Sequence, residues 1–121
     1  MRKLLIAVDA PPLAGALTLL LQDCYEVHCC FTGTDALNLI DMIKPDALIL
    51  YLSLPHIDGL TILHQCRHKP ASILVLSNLI TDSVIERISQ LGARGIIPIP
   101  CTPEYIADSL SKIEKLPASS L

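Results

Sequence analysis

ALILYLSLPHIDG, residues 47–59, is the stretch that decides how this chain folds. Its first six residues are apolar, and Pro55, Asp58 and Gly59 then punctuate a loop. A short Leu/Ile-rich run with no helical period reads as a strand buried on both faces, reaching the edge of a sheet. Tyr51 stands near that edge, where an α/β fold keeps its working groups. The question is what a bulky phenol does there, and what its presence prevents.

Four more aliphatic runs flank this one, so that strands are expected at 3–8, 25–30, 46–51, 72–76 and 94–98. Helix-period segments alternate with them at 12–22, 34–43, 59–68, 82–91 and 103–115. Thr102-Pro103-Glu104 reads as an N-cap, an N1 proline and an acid on the positive end of a helix. Thr34-Asp35 and Thr81-Asp82 look like similar starts, Asp58-Gly59 like a cap, and Gly92 like the glycine that closes a helix. A strict (βα)5 alternation with short connections implies one doubly wound parallel sheet, flavodoxin-like, with strand order 2-1-3-4-5. The domain is expected at 1–116, with 117–121 a tail or the start of a linker.

Bulk properties narrow the function classes. The chain has 121 residues, enough for one core, and 51% are hydrophobic against 17% charged, which excludes a disordered segment. A net charge of −3 with scattered lysines and arginines argues against direct binding of nucleic acid. No apolar run reaches membrane-spanning length, and the N-terminus does not read as a signal peptide, which points to the cytoplasm and no membrane partner. The five cysteines include no CxxC pair and read as reduced core residues. His64 and His68, four apart on the expected third helix, and His28 with Cys30 on the second strand are incomplete metal fragments, so no metal or cofactor is expected.

In a sheet of this order a site lies beyond the carboxyl ends of strands 1 and 3, which selects Val8 and Asp9, then Tyr51. Ser77 after strand 4 and Ile99-Pro100 after strand 5 line the same edge. At these residues the chain resembles the bacterial response-regulator receiver domain. KLLIAVDAP, residues 3–11, resembles the opening strand and its acidic turn, and KPDALILYLSLPHIDG, residues 44–59, the phosphoacceptor strand and its loop. Leu76-Ser77 matches the strand 4 hydroxyl, and residues 91–100 resemble the Gly-Ala…Lys-Pro stretch.

That resemblance implies an acid pair and an acceptor aspartate that hold Mg²⁺, and a lysine that meets the phosphoryl group. Here the first acid position is Val8, the acceptor position Tyr51, the lysine position Ile99 and the aromatic switch position Ile96; only Asp9, Ser77 and Pro100 survive. A phenol cannot become an acyl phosphate, and one carboxylate is a poor Mg²⁺ site. The resemblance also implies a cis Ile99–Pro100 peptide bond.

Two readings of Tyr51 stand. Its ring fills space against Val8 and Ile99, or it plugs the old site with its hydroxyl bonded to Ser77 or Asp9. Asp9 reads as a turn acid bonded to backbone N–H groups near the first helix, and Ser77 as a locally bonded hydroxyl. The function that follows is a non-phosphorylatable pseudo-receiver, not an enzyme, acting by protein–protein contact, with the regulatory domain of a bacterial transcription regulator as one form of it. The expected contact or homodimer face is helix 4, strand 5 and helix 5, carrying Val84, Ile85, Ile88, Ile96, Tyr105, Ile106 and Ile113, several of them core. The alternative is a small-molecule sensor with a pocket at the strand edge. An active phosphotransfer receiver ranks last.

Overall fold

The computed structural model describes residues 1–115. The expected tail at 117–121, with the boundary at 116, lies outside them. The elements run β1 (Arg2–Ala7), α1 (Pro11–Leu21), β2 (Tyr25–Cys30), α2 (Gly33–Ile43), β3 (Ala47–Tyr51), α3 (Gly59–Gln65), β4 (Ser72–Ser77), α4 (Asp82–Gln90), β5 (Gly95–Pro98) and α5 (Pro103–Glu114). The five strands are parallel in the order β2-β1-β3-β4-β5, as the alternation required. The fold is flavodoxin-like.

Period-two alternation divides each strand between two aliphatic layers. Leu5, Ala7, Leu48, Leu50, Ile73 and Val75 face Ile40 of α2, Ile62 and Leu63 of α3, and Ile88 of α4. Leu4, Ile6, Ala47, Ile49, Leu74 and Leu76 face Leu17 of α1 with Ile106 and Leu110 of α5. Each fully buried Leu or Ile contributes about 2 kcal/mol through removal from water, which explains how so few aromatic residues suffice.

Local chemistry sets most helix ends. Asp58 Oδ1 accepts from Thr61 N at 2.9 Å, Thr81 Oγ1 from Val84 N at 3.2 Å, and Thr102 Oγ1 from Tyr105 N at 3.1 Å. At the end of α4, Ala93 N donates to Ile88 O and Gly92 N to Ser89 O, with Gly92 at φ 102°. That is the Schellman pattern, and glycine takes its left-handed position without strain.

Two helices depart from the sequence reading. The cap of α2 is Thr32, not Thr34: its Oγ1 accepts from Asp35 N at 3.2 Å, and the helix begins at Gly33. Gly33 N donates to Pro55 O at 2.9 Å, and a Cβ there would collide with the Ile57 carbonyl, so only glycine lets the β3–α3 loop lie on this helix start. Helix α3 stops at Gln65, because Cys66 turns extended and Asp41 Oδ1 accepts from the amides of Arg67 and His68 at 3.0 and 3.1 Å. His68 therefore shares no helix face with His64; its Nε2 donates to Pro45 O at 2.9 Å.

The amino edge of the sheet is closed by one carboxylate. Glu114 at the end of α5 receives Arg2 Nη2 from β1 at 2.8 Å, Tyr25 Oη from β2 at 2.6 Å and Ser72 Oγ from β4 at 2.5 Å. Burial pushes its pKa up, but the three hydrogen bonds and the Arg2 charge outweigh this and hold it below the usual value. Burial and the same carboxylate raise the Tyr25 phenol well above its ordinary range. A carboxyl group depressed in the folded state stabilises above its unfolded pKa and loses that contribution as pH falls through the folded value. Glu114→Gln should therefore cost about 2 kcal/mol at pH 7 in urea unfolding. The gap between variant and parent should narrow as pH falls below the ordinary carboxylate value of 4.5.

Candidate functional site

The carboxyl edge is built differently. Beyond β1, Val8 is 1% exposed and is held by its amide, which donates to Cys30 O at 3.2 Å. Asp9, one residue on, is exposed. Tyr51, the last residue of β3, pairs in register with Leu76 and is half-buried. Ile99 donates its amide to Ser77 O at 3.1 Å, and the Ile99–Pro100 bond is cis, as the resemblance implied.

Val8, Asp9, Leu13, Tyr51, Leu76 and Ile99 line one cavity of about 280 Å³, with Ala10, Pro100 and Cys101 completing its wall. Ser77 is not among these residues. It follows Leu76 by one, so alternation turns it away. Its hydroxyl is occupied locally, donating to Leu79 O at 2.8 Å and accepting from Leu79 N at 3.1 Å.

Two expected hydrogen bonds do not form. Among the described residues the Tyr51 hydroxyl makes no hydrogen bond, to Ser77, Asp9 or any other group, and it is not fully buried. Its ring packs against the core on both faces of the sheet, yet leaves the cavity beside it. Asp9 caps nothing. The N-cap of α1 is Ala10, and the first two helical residues are Pro11 and Pro12, which have no N–H for an acid to receive.

The donor set does not fit a divalent cation of the Mg²⁺ type. Asp9 is the one carboxylate lining the cavity, and among the described residues no three His, Cys, Asp or Glu side chains converge as a metal site. His28 instead pairs with Glu26 at 2.8 Å, and burial pushes the Cys30 thiol up to about 12.

On the face of α4, β5 and α5 the structure separates core from surface. Ile85 and Tyr105 are 39% and 55% exposed and Ile96 is half-buried. Ile88, Ile106 and Ile113 are buried and cannot present a surface: Ile88 packs under β4, and the other two against Leu4, Leu74 and Leu110. Among the described residues no helix is long and apolar enough to cross a membrane.

Residues 4–111 match the family model described as the response regulator receiver domain. A putative response regulator from Chloroflexus aurantiacus is 32% identical, with 93% of this chain and 96% of that one covered and a TM-score of 0.74. The chemotaxis protein CheY4 of Vibrio cholerae is 24% identical over 93% of this chain and 98% of its own, at a TM-score of 0.80. A CheY-like receiver domain protein from Methanospirillum hungatei is 20% identical over 95% and 98%, at 0.79. The last two are likenesses of fold.

The unbonded hydroxyl and the packed ring of Tyr51 separate cleanly by mutation. Tyr51→Phe should leave the unfolding free energy within about 0.5 kcal/mol of the parent. Tyr51→Ala removes a ring that packs on both layers and should cost about 3 kcal/mol in the same urea titration. A loss above about 1 kcal/mol for Phe would reveal a hydrogen bond the structure lacks.

Proposed function

This chain belongs to the response regulator receiver domain family, and within it we propose a pseudo-receiver: a signalling module that takes no phosphoryl group and works through protein contact. The observation that carries this reading is the residue at the end of β3, Tyr51, where the family's phosphoacceptor aspartate would stand. An aspartyl phosphate needs a carboxylate nucleophile, and a phenol offers none. Val8 removes one of the acids that would hold Mg²⁺, and Ile99 removes the cation that would meet developing phosphoryl charge. Three losses at one edge, each touching a different part of the reaction, support the reading together. Tyrosine phosphorylation is disfavoured by the half-buried position of Tyr51.

Without a phosphorylation switch the module acts by the surface it presents. That surface is assigned to α4, β5 and α5, where Ile85, Tyr105 and the half-buried Ile96 are accessible apolar groups. The partner is a protein or a second copy of the chain, in the cytoplasm. Regulation of transcription belongs to this reading where an effector domain is attached.

Two measurements test it. Incubation with acetyl phosphate and Mg²⁺, followed by intact mass, should show no stable gain of one phosphoryl group; such a gain would falsify the proposal. In sedimentation equilibrium the parent should show a concentration-dependent dimer, and Tyr105→Glu should weaken it at least tenfold, on the order of the penalty for forcing a charge into an apolar contact. A parent that stays monomeric at all concentrations, or a dimer indifferent to Tyr105→Glu, removes this face from the homodimer.

A further inference from the structure

We propose that the cavity at the carboxyl edge of β1 and β3 binds a small amphipathic amine, an apolar body of about ten heavy atoms carrying one ammonium group. The inference rests on the reading of this edge as one that has given up phosphoryl chemistry, and it names what the space now accepts.

The cavity, about 280 Å³, is close to the lower end of the range of roughly 300–1,000 Å³ typical of ligand sites. Its walls are mostly aliphatic, from Val8, Leu13, Leu76 and Ile99. Two polar groups converge on it, Asp9 and Tyr51, and neither forms a hydrogen bond or ion pair with any described residue. An apolar pocket with a few unpartnered polar groups is the usual composition of a small-ligand site.

The charge of the ligand follows from the same residues. Asp9 is the single charged residue lining the cavity, and no cationic side chain does so. An ionised carboxylate is acceptor-only and an ammonium donor-only, so the two are complementary, and the Tyr51 oxygen can accept a second N–H. An anion would meet Asp9 with no compensating cation. Helix N-termini near this edge would ordinarily favour anions, but here they are blunted. Both α1 and α5 begin with proline, Thr102 Oγ1 already receives the Tyr105 amide, and Glu104 lies in the first turn of α5.

The test uses the full chain and three probes of one shape: phenethylamine, 2-phenylethanol and phenylacetate. In amide NMR titrations phenethylamine should shift Val8, Asp9, Tyr51 and Ile99 saturably, with Kd about 1 mM or tighter for a ligand of this size. Phenylacetate should bind at least tenfold more weakly than the amine, on the order of one charge-assisted hydrogen bond. Asp9→Asn, a change at an exposed position, should lower the amine affinity about tenfold and leave 2-phenylethanol within about twofold. Leu13→Trp should fill the cavity and abolish binding of all three probes. Equal binding of the three, shifts centred elsewhere, no saturation, or an amine affinity indifferent to Asp9→Asn would each overturn the assignment. A chain that gained a phosphoryl group yet bound the amine would sink the functional reading alone; one that did neither would sink the pocket alone.

Discussion

Strand β1 is hydrogen-bonded on both sides: each residue from Leu4 to Ala7 has a partner in β2 and another in β3. Every other feature of the carboxyl edge depends on this pairing. Between two parallel neighbours and with helices over both faces, Leu4 to Ala7 are fully buried. Winding runs outward from it in both directions, so the crevice opens where β1 and β3 finish. The Val8 amide still reaches Cys30 O, which keeps Val8 inside. Asp9 is the first residue past that tie and the first to be exposed. One residue of register thus separates a core valine from a free carboxylate.

The fold was legible because this pattern is local in the chain. Five aliphatic runs with helical segments between them admit few arrangements, and the right-handed crossover rule leaves one common order. The strand ends alone also point to Val8, Asp9, Tyr51, Ile99 and Pro100, which line one cavity, and to Ser77, which does not. What escaped were the contacts between distant segments. Nothing near Thr32 announces that Gly33 must receive the β3–α3 loop, so the sequence alone points to Thr34, two residues too late. The early end of α3 depends on Asp41, more than twenty residues upstream, receiving two amides. The bond between Tyr51 and Ser77 failed for a simpler reason: strand alternation, read one residue further, turns Ser77 away from the cavity.

The two edges of the sheet have opposite characters. The amino edge gathers charge and hydrogen bonds on Glu114, tying β1, β2 and β4 to the last turn of α5. The carboxyl edge, where polar chemistry is ordinarily concentrated in this architecture, is aliphatic. A Glu114 knot that joins three strands resists sliding of α5 along the sheet, since any shift would strand a partly buried carboxylate. The far end has no such knot: there the strand ends line a cavity.

Val8, Tyr51 and Ile99 form one apolar environment at that end. Val8 is 1% exposed and shares a layer with Tyr51 and Ile99. A carboxylate in place of Val8 would be desolvated beside an aromatic ring and an isoleucine, with no cation lining the cavity to offset it. A lysine in place of Ile99 would have only Asp9 for company, at the rim. A charge introduced at either position alone would enter an environment that the other two residues make apolar. The three residues line one cavity, so the effects of changing them are expected to couple rather than add. A single charged side chain placed at position 8 or 99 would thus cost stability, because packing rather than a counter-charge surrounds it.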